Sequence, residues 1–98
     1  MKHFEEVIGE SKPTLAVFMH AAEHNAVDLK SLVEELQKQY GDKANIARVD
    51  TSFNRKMIEK FRLNTYPTWI LFKEGQELMR ESGNKTVTEL GDLIERAL

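Results

Sequence analysis

The amino-acid order predicts an α/β fold: a central mixed four-stranded sheet, with a parallel core, a C-terminal antiparallel hairpin and helices on both faces. Three observations predict it. Apolar spacing switches between helical and extended along the chain, giving the order α, β, α, β, α, β, β, α. Strands separated by helices imply right-handed crossovers and a parallel core. One run, Thr14-Leu15-Ala16-Val17-Phe18-Met19, is apolar without alternation, which suits a strand covered on both faces.

Each element follows from local chemistry. Phe4, Val7 and Ile8 fall at i, i+3, i+4, a short amphipathic helix that stops near Gly9. Ser11-Lys12-Pro13 is a turn before the first strand, and Ala21 to Asn25 is a break after it. Leu29, Leu32, Val33, Leu36 and Tyr40 form one stripe of a longer helix, ended by Gly41-Asp42. Ile46 to Val49 reads as a second strand. Asn54 is placed to cap a third helix carrying Met57, Ile58 and Phe61. Pro67 then opens a strand from Thr68 to Phe72, because proline cannot donate to a ladder and fits a strand's entrance. Glu74-Gly75 turns that strand into a return strand, Glu77 to Glu81. After a Gly83-Asn84 turn, Thr86-x-x-Glu89 has the capping-box form. The last helix carries Leu90, Leu93, Ile94 and Leu98 on its stripe, and its interior Gly91 costs about 1 kcal/mol against alanine. That glycine permits close packing on the sheet or marks a contact surface.

Bulk properties narrow the function. A length of 98 residues fits a single domain, 1–98, and 41% apolar content suffices for one core. A net charge of -2 gives no electrostatic case for nucleic acid or an anionic membrane. No apolar run approaches the roughly 20 residues that span a bilayer. The acidic start, Met1-Lys2-His3-Phe4-Glu5-Glu6, does not resemble a signal peptide, so the expected location is cytoplasmic. The chain has no cysteine, which excludes disulfides, thiolate catalysis and cysteine-based metal sites.

Several stretches together resemble the thioredoxin family. Lys12-Pro13-Thr14-Leu15-Ala16-Val17-Phe18 resembles the strand leading into a thioredoxin active site, and Ala47-Arg48-Val49-Asp50 resembles the next strand. Glu59 to Thr68 resembles the run into the family's cis-proline, here Pro67, and Phe72-Lys73-Glu74-Gly75 resembles the following hairpin. Gly83 falls where the family has a glycine before its last helix. The register from Lys12 to Leu98 needs no gap, and only the family's first strand lacks a counterpart. The departures concern chemistry. The family's Cys-x-x-Cys position reads Glu23-His24-Asn25-Ala26, and the tryptophan before it is Ala22. The family's buried aspartate is Val17, and the buried lysine beside it corresponds to Arg48. Both the attacking thiolate and the resolving thiol are gone. The resemblance therefore implies a redox-inactive member: not an oxidoreductase, with no catalytic residue, cofactor or metal.

The expected binding residues are those of the former active-site loop (Ala22, Glu23, His24, Asn25 and Ala26) and of the groove beside the cis-proline (Tyr66, Pro67 and Thr68). In the family, an extended peptide pairs with backbone beside that proline, a form of strand addition that needs no cysteine. The expected partner is a protein or peptide, with no nucleic acid and no membrane; the sequence does not fix the oligomeric state, and monomer or weak dimer are the two states expected. The helix N-terminus near Asn25 favours a carboxylate, either from a ligand or from Glu23, and Glu23 or Asn25 capping the helix is the plainer reading. Tyr66 is either rim or core, whereas Trp69 reads as core. His20 and His24 straddle strand end and loop, so their spacing is no argument for a metal, and His3 reads as solvated. Two other readings remain open. One is a non-redox enzyme using Glu23 and His24 in acid–base work. The other is a structural or oligomerisation domain, with small Ala21 and Ala22 allowing close approach at the old active-site face.

Overall fold

In the computed structural model, which describes residues 3–20 and 26–98, eight elements follow in the predicted order. They are α1 (Phe4–Ile8), β1 (Thr14–Met19), α2 (Ala26–Tyr40), β2 (Asn45–Asp50), α3 (Arg55–Phe61), β3 (Thr68–Lys73), β4 (Gln76–Ser82) and α4 (Val87–Arg96). The sheet order is β2-β1-β3-β4. β1 and β2 are parallel, while β3 runs antiparallel to both β1 and β4. The parallel core is thus one pair. The reason lies in the connection through α3. β2 ends with Asp50 beside Met19, and β3 begins with Thr68 beside Phe18, at the same end of the sheet. A seven-residue helix rises about 10 Å, whereas a six-residue strand covers about 20 Å. The chain never returns to the far end before it re-enters the sheet.

Strand alternation builds two cores. Leu15, Val17, Trp69 and Leu71 face α2 and α4, meeting Leu29, Leu36, Leu90 and Ile94. Ala16, Phe18, Ile70 and Phe72 face α1 and α3, meeting Ile8 and Phe61. On this second side Phe4 meets the rings of Phe18, Phe61 and Phe72 edge-on, with centroids 5.8, 6.0 and 6.0 Å apart. Such pairs add about 0.5–1.5 kcal/mol each beyond the area they bury.

Local signals act as the residue types dictate. Asn54 Oδ1 accepts the Met57 N–H at 3.1 Å and starts α3. The Thr86–Glu89 capping box is complete in both directions. Glu74 and Gly75 both have positive φ, 54° and 82°, as a tight hairpin turn requires. That turn is tied back to the start of the chain, since the Glu74 and Gly75 N–H groups donate to Glu10 and Ile8 carbonyls, each at 2.9 Å. Leu98 corrects the expected stripe: it is 54% exposed, and Ala97 is buried in its place. The end of α4 tightens to i→i−3 bonds, Ala97 to Ile94 and Leu98 to Glu95, so three residues rather than four complete the turn. Gly91 packs against α2 rather than the sheet, because the Tyr40 side chain occupies the space that a Cβ at Gly91 would need. Among the described residues, no helix is long and apolar enough to cross a membrane.

Candidate functional site

The end of the sheet where β1 stops and β3 starts carries the expected site. Ala22, Glu23, His24 and Asn25 lie outside the described residues, and with them the capping and acid–base roles considered for Glu23, His24 and Asn25, and the close approach considered for Ala21 and Ala22. Ala26 opens α2. The proline half is described in full. The Tyr66–Pro67 peptide bond is cis. Pro67 is buried, and its carbonyl accepts the Gly83 N–H at 2.9 Å. Gly83 has φ of 91°, a conformation that glycine adopts without strain. Its carbonyl in turn accepts the indole N–H of Trp69 at 3.1 Å, which satisfies a ring that is 1% exposed. Trp69 is therefore core, and its polar edge braces the turn behind Pro67.

Thr68 is buried, and its hydroxyl donates to the Thr65 carbonyl at 2.6 Å. Thr65 Oγ1 and Ser82 Oγ lie 3.0 Å apart, joining the approach to β3 to the end of β4. Tyr66 is half-buried beside the aromatic core and meets the His20 ring edge-on, with centroids 5.9 Å apart. Among the described residues, neither the N–H nor the C=O of Tyr66 has a backbone partner. A main chain held on both sides and left open at one residue can pair with an extended segment.

Thr51 is a positioning residue that sequence reasoning missed. It is fully buried, and both its N–H and its hydroxyl donate to the Met19 carbonyl, at 2.8 and 3.0 Å. This double bond fixes the direction in which β1 leaves the sheet. A lone threonine after a strand gives no periodic signal, so only the pairing of β2 with β1 reveals it. The Val17 side chain is fully buried, in register between Trp69 on β3 and Arg48 on β2. Arg48 itself is exposed, so its place in the family comparison does not carry a buried cation here.

Glu89 is held below the usual carboxylate range chiefly by the Thr86 backbone N–H, Glu77 by its hydrogen bonds to Arg80, and Glu5 by its bond to Lys60. Among the described residues, no three His, Asp or Glu side chains gather to hold a metal ion.

Comparison with known proteins bears on this geometry. A family model described as Thioredoxin matches residues 1–96. Thioredoxin X, chloroplastic, from Arabidopsis thaliana is 37% identical over 68 residues, which span 67% of this chain and 37% of the relative. Thioredoxin Y, chloroplastic, from Oryza sativa subsp. japonica is 27% identical over 96 residues, 97% of this chain and 57% of the relative. The chain thus spans less than two thirds of the length of these relatives. A solved thioredoxin from Halobacterium salinarum NRC-1 is 26% identical and superposes with a TM-score of 0.85, over 95% of this chain and 80% of that one.

Proposed function

The chain belongs to the thioredoxin family and has no cysteine, and from this we propose that it is a redox-inactive, protein- or peptide-binding module, chaperone-like in kind, that uses the groove beside Pro67. Without a thiol of its own it has no route to thiol–disulfide exchange. What supports the binding reading is the main chain at Tyr66, unpaired among the described residues and flanked by anchors at Thr65, Pro67 and Thr68. An extended partner strand would add main-chain hydrogen bonds there, and Tyr66 and His20 would give it an aromatic rim.

The test has two arms. The purified chain should show no insulin-reduction turbidity above buffer. Affinity capture from the native lysate, compared between wild type and Tyr66→Ala, should return a partner that the variant loses. On titration of that partner, amide shifts should change at Tyr66, Thr68 and residues 22–26. Shifts confined to the opposite end of the sheet, around Lys73 to Gln76, would remove the groove from the account.

A further inference from the structure

A pocket of about 240 Å³ lies on the α2–α4 side of the sheet end. Asp28, Leu29 and Leu32 line it from the first two turns of α2, and Asn84 and Lys85 from the turn before α4. It adjoins the proline entrance. Gly83 donates its N–H to the Pro67 carbonyl, and Lys85 lies two residues further on, about 7 Å of chain at most. α1 packs on the opposite face of the sheet, and α4 ends at the β3–β4 hairpin, where Lys73 Nζ donates to the Ala97 carbonyl.

The lining divides into carbon and charge. Leu29 is buried and Leu32 packs on the same core cluster, so one wall is apolar. Asp28 is exposed and, among the described residues, makes no ion pair. Lys85, the cation of the lining, is already engaged, with Nζ 3.1 Å from Glu81 Oε1. Glu89, held low chiefly by the Thr86 backbone N–H, feels Lys85 as well. Asp28, Glu81 and Glu89 thus outnumber the single ammonium among them. The space is smaller than the roughly 300–1,000 Å³ that takes a whole small molecule, so it suits one side chain. An apolar wall beside an unpaired carboxylate matches a long basic side chain, whose stem lies on carbon and whose head seeks charge.

Resting on the groove reading above, we propose that this pocket takes a lysine or arginine side chain of the bound segment. Its stem lies along Leu29 and Leu32 and its cation meets Asp28. An extended partner paired at Tyr66 sends successive side chains to opposite faces of the sheet end. Tyr66 packs with the α1–α3 core and meets His20, so partner side chains on that face touch the aromatic rim. Their neighbours in sequence point to the α2–α4 face, where Leu29 and Leu32 belong. The recognised pattern is therefore a basic residue flanked by apolar ones.

Two probes separate the pocket from the groove. N-acetylarginine amide, titrated at millimolar concentration and low salt into isotope-labelled chain, should shift the Leu29, Leu32 and Lys85 amides. Asp28→Asn should abolish those shifts. Asp42→Asn, the same charge change beyond the far end of α2, should leave them as in the wild type. The peptide acetyl-Thr-Val-Arg-Val-Thr-amide should shift Tyr66 together with the pocket. It should bind about threefold or more weakly to Asp28→Asn, and its counterpart with glutamate for arginine should bind the wild type more weakly by at least as much. If arginine amide leaves the pocket amides unmoved, or moves them equally in Asp28→Asn, the pocket assignment is overturned whatever happens at Tyr66. If both peptides shift Tyr66 with equal affinity, the groove stands and the basic side chain is overturned. If the pocket answers arginine amide but no peptide shifts Tyr66, the groove reading falls and takes this assignment with it.

Discussion

Gly91 offers a sharp test of how α4 sits on α2. A Cβ built at Gly91 lies 2.3 Å from Tyr40 Oη, 2.9 Å from Cζ and 3.1 Å from Cε2. Carbon atoms in good contact sit about 3.5–4.0 Å apart, so in Gly91→Ala the phenol must retreat by about 1 Å or more. The ring is rigid, and it hangs from the last residue of α2, packed against a buried core cluster. Two effects oppose. Alanine gains about 1 kcal/mol over glycine in a helix interior. Overpacking costs about 1–3 kcal/mol. The net expectation is a loss of about 1 kcal/mol, or a melting temperature lower by about 4–8 °C in a domain of this size. Urea unfolding followed by the fluorescence of Trp69, the single and fully packed tryptophan, measures it. The background decides the cause. In Tyr40→Ala the ring is absent, and Gly91→Ala should then stabilise by about 1 kcal/mol. If the substitution has the same effect in both backgrounds, or stabilises the chain that keeps Tyr40, then the phenol is not what requires glycine.

Three further perturbations probe the site and its scaffold. Thr51→Val keeps the side chain's shape, removes one of two donors to the Met19 carbonyl, and should cost about 0.5–1.5 kcal/mol in urea unfolding, with a null effect contradicting the anchor. Val17→Asp puts a carboxyl at a fully buried position beside Trp69 and should cost more than about 3 kcal/mol; a stable variant whose stability then collapses on Arg48→Ala would show that Arg48 can turn inward after all. Glu89 in the folded chain has its pKa below the unfolded value, so the folded state binds fewer protons as acid is added. Its contribution is full above the unfolded carboxylate value of about 4.3 and is lost as pH falls through the lower, folded one, so the stability gap between wild type and Glu89→Gln should be present at neutral pH and narrow as acid takes the pH below the unfolded value. A gap that widens in acid would reverse the sign and remove the capping explanation.

The fold was legible because its signals are local. A six-residue apolar run bounded by turn residues suits a covered strand, Asn54 and Thr86 carry their caps in their own side chains, and Glu74-Gly75 is short enough to specify a hairpin. What stayed hidden depends on partners distant in sequence. The antiparallel entry of β3 follows from where α3 sets the chain down, which apolar spacing does not encode. Gly91 answers to Tyr40, and Thr51 to Met19, across the fold. Leu98 misled because helical spacing was extended past the point where the backbone tightens. At the site, the proline and its neighbours were readable as an entrance to a strand. The partner of the Thr68 hydroxyl was not, since a threonine beside a proline looks the same whether its hydroxyl faces water or the Thr65 carbonyl.

The loss of sulfur and the presence of Val17 have a common physical logic. A buried carboxylate costs several kcal/mol unless something compensates it. With no thiol in the chain, an ionisable group inside the α2–α4 core would be a pure liability, and valine joins Leu15, Trp69 and Leu71 as packing instead. The anchors that shape the proline entrance lie elsewhere: Gly83 on the Pro67 carbonyl, Thr68 on the Thr65 carbonyl, Thr51 on the Met19 carbonyl. None of them includes Val17. The packing at Val17 and the anchors at the proline entrance are thus separate, and a substitution at Val17 removes none of those three hydrogen bonds.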